Sequence, residues 1–259
     1  MQSGEFIGTY YVSGVPVCAL RSDGDTSSFG KHKLAVYDFD GTCISGNSPV
    51  MLVRYLIRRR KLDPWAAMRI GFWAIAYKLK LPQNESWVRW LVFKPFEGIT
   101  KEEVDDYLAQ FYEDVVSKRY RAEADESMRR MSEEGCLVVV VSATWQAIVD
   151  QAQKSHPFDV GICTCMQVDN LGNYTRLVDG LPVEGMEKVR AVKRFADERF
   201  GRGNWVLEYA YGDHHSDLPL LERAKHPCAV TPDNPLERQA KRRNWKILDW
   251  KKPRVDLDV

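Results

Sequence analysis

Six polar side chains at four separated places carry the chemistry open to this sequence. Asp38 and Asp40 stand in YDFDGT, Ser142 in VVVVSAT, Lys188 in EGMEKVRAV, and Asp213 and Asp217 in YGDHHSD. Mg2+ prefers hard oxygen ligands in octahedral geometry and keeps several waters, and Asp38, Asp40 and Asp213 could supply its protein ligands. Asp38 would offer a side-chain oxygen, and Asp40 its main-chain carbonyl. Metal and lysine neutralise charge on a transferring phosphoryl group, which is most of what that chemistry needs. Asp38 could then attack in line and carry the group as an aspartyl-phosphate. Asp40 would be free to protonate the leaving oxygen and later to deprotonate the attacking water. Gly41 lets the loop turn sharply, and N–H groups there and at Thr42 can bind phosphate oxygens. Ser142, with Ala143 beside it, would contact the phosphoryl group, and Lys188 is a compact charge suited to both phosphate and Asp38. Asp217 would hold the water shell of the metal or orient Lys188.

Each residue also has a plainer role. Carboxylates after strands are common turn and cap residues, Ser142 could cap a helix beginning in SATWQ, and Lys188 has a rival in Lys193 on the same helical stretch. The combination is what favours a site. His214 and His215 read as loop residues lining the cleft, because hard Mg2+ prefers oxygen; a His-favouring metal is the alternative.

To converge, these residues need strands that end side by side. Short apolar runs at 33–38, 136–141, 205–211, 226–230 and 245–248 lack alternation, as strands covered on both faces do. Helical periodicity fills 143–154, 186–200, 217–224 and 235–243. Strands alternating with helices give a doubly wound α/β core, whose sites form at the carboxyl ends of the strands. Residues 48–132 break this rhythm as consecutive helices (49–60, 64–80, 85–93, 101–120 and 121–134) and read as an all-helical insert. Residues 1–32, rich in Gly, Ser and Asp, read as an arm or lead-in. The core would comprise 33–47 and 133–259, with a small hairpin within 159–183 turning at Asp169–Asn173.

Composition excludes several classes. A formal net charge of +1 provides no field for nucleic acid. The 6 cysteines form no paired framework, so reduced, mostly buried thiols in the cytoplasm are expected. The N-terminus lacks a basic start and apolar run, and no uncharged apolar stretch of about 18 residues exists. The aromatic stretch 64–81 (PWAAMRIGFWAIAYKLKL) reads first as a buried helix. Basic residues Arg54, Arg58, Arg59, Arg60 and Lys61 nearby keep open a second reading, a surface docked at lipid.

DFDGT at 38–42, VVVVSAT at 138–144, Lys188, and GDHHSDLPLL at 212–221 resemble the four ordered motifs of the haloacid dehalogenase superfamily. The helical insert is similar to that superfamily's C1-type cap, and AVTPDNPLERQAKRRNWKILDW at 229–250 to the tail of its phosphoserine-phosphatase-like branch. The resemblance spans roughly residues 33 to 250. It implies a Rossmann-like core with an inserted cap, Mg2+, and a phospho-aspartate mechanism. In phosphoserine phosphatases a glutamate that matches the substrate's ammonium follows motif one; the matching position here is Asn47, and an amide cannot neutralise a buried ammonium. A small phosphorylated metabolite is therefore the expected substrate. A lipid phosphate such as phosphatidylglycerophosphate and phosphoserine are the alternatives, and a non-catalytic binding module is the remote one.

Overall fold

The computed structural model describes the backbone of residues 10–12, 15–19, 30–61, 65 and 92–250, with side chains from Gly30 onward. Its main sheet contains β1 (Tyr10–Val12), β2 (Val15–Ala19), β3 (His32–Tyr37), β4 (Cys136–Trp145), β5 (Val160–Thr164), β8 (Trp205–Gly212), β9 (His226–Val230) and β10 (Lys246–Leu248), in the order β1-β2-β5-β4-β3-β8-β9-β10. From β5 across to β10 all neighbours are parallel. β6 (Met166–Val168) and β7 (Tyr174–Val178) form the separate hairpin expected around Asp169–Asn173.

Period-two side chains sort the sheet into two buried faces. Leu34, Val36, Val139 and Val141 face the apolar residues of α5 (Met186–Phe200), α6 (Leu218–Leu221) and α7 (Asn234–Arg242). Ala35, Tyr37, Val138 and Val140 face α3 (Ala122–Glu133) and α4 (Gln146–Gln153). The result is a three-layer α/β sandwich, as expected.

Between β3 and β4 the described segments are helical: α1 (Ser48–Arg58), a 3-10 turn, α2 (Lys101–Phe111), a π turn at Tyr112–Val116, a second 3-10 turn, and α3. The helix expected over 101–120 is thus broken at Tyr112, where Phe111, Tyr112 and Val116 are all buried. α3 belongs to the sheet layer rather than to the insert: Tyr37 Oη lies 2.9 Å from Ser127 Oγ, and Tyr211 Oη donates to Met131 Sδ at 3.6 Å. The helices expected over 64–80 and most of 85–93 lie outside the described residues, as does the aromatic stretch 64–81 apart from Trp65, which is exposed. No helix among the described residues is long and apolar enough to cross a membrane.

Two further differences concern strands. The lead-in before Lys31 contains β1 and β2, and β2 runs antiparallel along β5, pairing Cys18 with Gly161. VGICT at 160–164 is β5, a buried strand of the main sheet rather than part of the hairpin.

Buried polar ties hold the insert's ends to the core. His156 places Nδ1 2.9 Å from Asp125 Oδ1 and Nε2 3.0 Å from Tyr112 Oη, and stacks on Tyr120. Arg121 is buried; its Nη1 donates to Thr231 Oγ1 at 3.0 Å and to the Trp250 carbonyl at 2.8 Å. Cys43, Cys136, Cys163, Cys165 and Cys228 are buried thiols.

Candidate active site

β3 lies at the topological switch point of the sheet, with chain order running outward to β4 and β5 on one side and to β8 and β9 on the other. Crevices beyond strand ends at such a point are where open α/β sheets bind ligands. Register pairs Tyr37 with Val140 of β4 and Tyr211 of β8. Asp38 follows directly, its N–H donating to the Tyr211 carbonyl at 2.9 Å. Asp38, Ser142 and Asp213 therefore emerge on three adjacent strands.

Lys188 comes from the first turn of α5 and is buried against them. Its Nζ lies 2.7 Å from Asp38 Oδ1 and 2.6 Å from Asp217 Oδ1. Asp217 Oδ2 accepts from the His214 N–H at 3.3 Å. One carboxylate oxygen from each of Asp38, Asp213 and Asp217 lies within 4.8 Å of the others. Lys193, the rival lysine, is exposed and pairs with Asp197.

The charge of this group is unbalanced. Three carboxylates share one ammonium, and Asp38 and Asp217 are 6% and 0% exposed. Burial first, then repulsion from Asp217, holds the Asp38 carboxyl well above the usual range even with Lys188 opposing. The same two causes push Asp213 up to about 7. Burial alone would lower the Lys188 ammonium; Asp217 and Asp38 more than offset it, and the net shift is upward. A cluster of hard oxygens with excess negative charge fits a small divalent cation.

Asp40 is placed differently. Its Oδ1 accepts from the Ser48 N–H at 2.6 Å and its Oδ2 from Ser48 Oγ at 3.1 Å. Ser48 Oγ also contacts Thr144 Oγ1, and the Thr144 N–H donates to Ser142 Oγ at 3.2 Å. A polar chain thus joins the loop after β3 to the end of β4. Burial pushes Asp40 up to about 6, against the Ser48 hydrogen bonds that favour its charged form. Its side chain stands outside the close carboxylate trio.

Gly41 adopts φ +79°, and a Cβ there would stand 2.0 Å from Asp213 Oδ2. The missing side chain is what lets two loops meet over the site. Gly41→Ala is expected to displace Asp213, so any rise in Tm that Mg2+ gives the wild type should be lost from this variant.

The remaining expected residues take other positions. The Gly41 N–H donates to the Gly46 carbonyl at 2.9 Å, so it serves the loop's own turn. Thr42 is fully buried, its Oγ1 3.3 Å from Asp213 Oδ1, which makes it a brace for that carboxylate. Asn47 is the N-cap of α1, its side-chain oxygen accepting from the Val50 N–H at 3.1 Å. Ser142 is buried, its Oγ accepting from the Thr144 N–H. Ala143, half-buried, is still within β4, which continues to Trp145.

Ser48 and Thr144 were not singled out from sequence. Ser48 precedes Pro49 at a helix start, a position that advertises capping rather than contact with an acid.

A family model described as haloacid dehalogenase-like hydrolase matches residues 35–222, which contain all four motifs. The chain belongs to that family. It is 25% identical over 223 residues to a histidinol-phosphatase of Neisseria meningitidis, covering 84% of this chain and 99% of that protein. A Bordetella pertussis protein of unknown function has a similar structure, with TM-score 0.75 and 24% identity over 85% of this chain and 99% of that one. A phosphoserine phosphatase, solved as a phospho-aspartyl intermediate analogue, gives TM-score 0.57 and 18% identity over 86% and 95%. These structures share the haloacid dehalogenase-like fold. The family makes the chain a haloacid dehalogenase-like hydrolase.

Proposed function

We propose that the protein is a cytoplasmic, Mg2+-dependent phosphomonoesterase that carries its phosphoryl intermediate on Asp38 and acts on a small phosphorylated metabolite. The observation that carries this reading is the bridge of Lys188 between Asp38 and Asp217 beside Asp213, at the carboxyl ends of β3 and β8. Asp38, Asp213 and Asp217 are the side chains that would hold the ion, whose charge would offset both their own and that of the phosphate.

Lys188 opposes the burial and repulsion that favour the protonated form of Asp38, and it aims the carboxylate. The Asp38 oxygen attacks phosphorus in line, a new P–O bond forms, and the bond to the leaving oxygen breaks. Asp40, protonated at neutral pH more often than an exposed aspartate, gives its proton to that oxygen. In the second half Asp40 takes a proton from water as the water oxygen displaces Asp38. Ser48 holds Asp40 in one orientation through both halves, and the Ser142 hydroxyl donates to the phosphoryl oxygens. The buried thiols suit a reducing compartment.

A phosphate-release panel with Mg2+ tests the proposal. It should contain phosphoserine, histidinol phosphate (suggested by the Neisseria relative), sugar and polyol phosphates, and phosphatidylglycerophosphate in micelles. Release from a soluble monoester, with a phosphate-mass adduct on the peptide bearing Asp38, supports it; release from the micellar lipid alone would replace the substrate class, and silence across the panel would overturn the activity. Asp40→Asn should lower kcat by about 10^2 to 10^4-fold. A variant with wild-type kcat would remove Asp40 from the mechanism.

A further inference from the structure

Outside the carboxylate trio, a second set of donors converges on the rim of the same loop. His214 and His215 follow Asp213, and Asp233 precedes α7. His215 Nδ1 lies 3.1 Å from Asp233 Oδ2, and His214 Nε2 lies 3.5 Å from the same oxygen. One ligand atom from each residue lies within 4.8 Å of the other two. We propose that His214, His215 and Asp233 form a binding site for a late first-row divalent cation such as Zn2+, separate from the site at Asp38, Asp213 and Asp217.

The two spacings to Asp233 Oδ2, 3.1 and 3.5 Å, are close to those of ligands around one ion. Donors about 2.1 Å from a metal, subtending 90–110°, stand about 3.0–3.4 Å apart. The donor types differ from those of the trio: two imidazoles and one carboxylate suit Zn2+, Ni2+ or Cu2+, whereas the all-carboxylate group suits Mg2+.

The ligands are also oriented from behind. Asp233 Oδ1 accepts from the Leu236 N–H at 2.8 Å as the N-cap of α7, which leaves Oδ2 for the two histidines. His214 Nδ1 lies 3.0 Å from Ser216 Oγ. The same nitrogen accepts from the Ser216 N–H at 3.4 Å, so the ring is held with Nε2 turned toward Asp233. With side-chain exposures of 38% and 59%, His214 and His215 leave one side open to solvent, so water can complete a tetrahedral set. The Asp233 N–H donates to the Asp213 carbonyl at 2.8 Å, so an ion here would clamp the β8 loop to the start of α7.

The test is titration calorimetry of the full chain with Zn2+ in saturating Mg2+, repeated on His215→Ala and Asp233→Ser. Serine is itself a good N-cap, so Asp233→Ser removes a ligand while keeping the helix start; His215 is exposed on the loop and its loss spares the core. The wild type should take up one Zn2+ per chain. Each variant should bind it more weakly by about 100-fold or more, since even an outer-shell partner is worth about 10 to 100-fold. Affinity unchanged in both variants would place Zn2+ on the carboxylate trio and overturn the proposal. So would the absence of saturable uptake by the wild type.

Discussion

Asp38→Asn should lower kcat by about 10^4-fold or more, the scale seen when a covalent nucleophile is removed, while the protein stays folded. The amide keeps the shape of the side chain but cannot carry a phosphoryl group. It also relieves the repulsion from Asp217 and Asp213 that, with burial, disfavours the Asp38 carboxylate. The Tm measured without Mg2+ should therefore hold or rise. The Mg2+ response should shrink in the same variant, because one of three carboxylates is gone. An ion at 100 times its Kd stabilises the wild type by about 2.7 kcal/mol, and most of that should vanish. Phosphate release at the wild-type rate from Asp38→Asn would end the covalent mechanism.

The second large effect is on stability as well as rate. Lys188→Ala should destabilise the Mg2+-free protein by about 3–5 kcal/mol, the cost of breaking a buried ion pair from one side. Lys188 is 4% exposed and is the ammonium bonded to both Asp38 and Asp217, so its loss leaves two buried carboxylates facing each other. Mg2+ should recover part of the loss by supplying charge to the same oxygens, a rescue that truncation of an ordinary core lysine would not show. Chemical denaturation with and without Mg2+ measures both quantities. An unchanged midpoint in the absence of Mg2+ would mean that Lys188 does not carry the balance of charge assigned to it.

The sequence made the central strands legible because LAVY and CLVVVV are apolar, β-branched and end in polar residues at a turn. Lys188 could be chosen over Lys193, and both placements follow from α5: Lys188 sits in its first turn, near the strand ends, whereas Lys193 is more than a turn further on. β5 was missed because VGICT is short and holds a glycine, and the turn just beyond it drew the segment into the hairpin. The end of β4 was misread because Ser142 and Thr144 are good N-cap residues. The α-helix begins at Gln146, with Trp145 at the cap position making no side-chain bond. The π turn after α2 leaves no mark, since apolar spacing alone does not report one extra residue in a turn. Asn47 caps α1, and Ser48 beside it reaches Asp40.

That clasp makes Asp40 a tenant of two structures at once. Its backbone belongs to the loop after β3, but both oxygens are steered by the opening residue of α1, where the inserted helices begin. Remodelling the insert, as one would to redirect an enzyme toward a new leaving group, therefore touches Asp40 through Ser48 unless Ser48 and Asn47 are left as they are. Grafts that begin after the first turn of α1 preserve the acid; grafts that replace that turn must rebuild its grip.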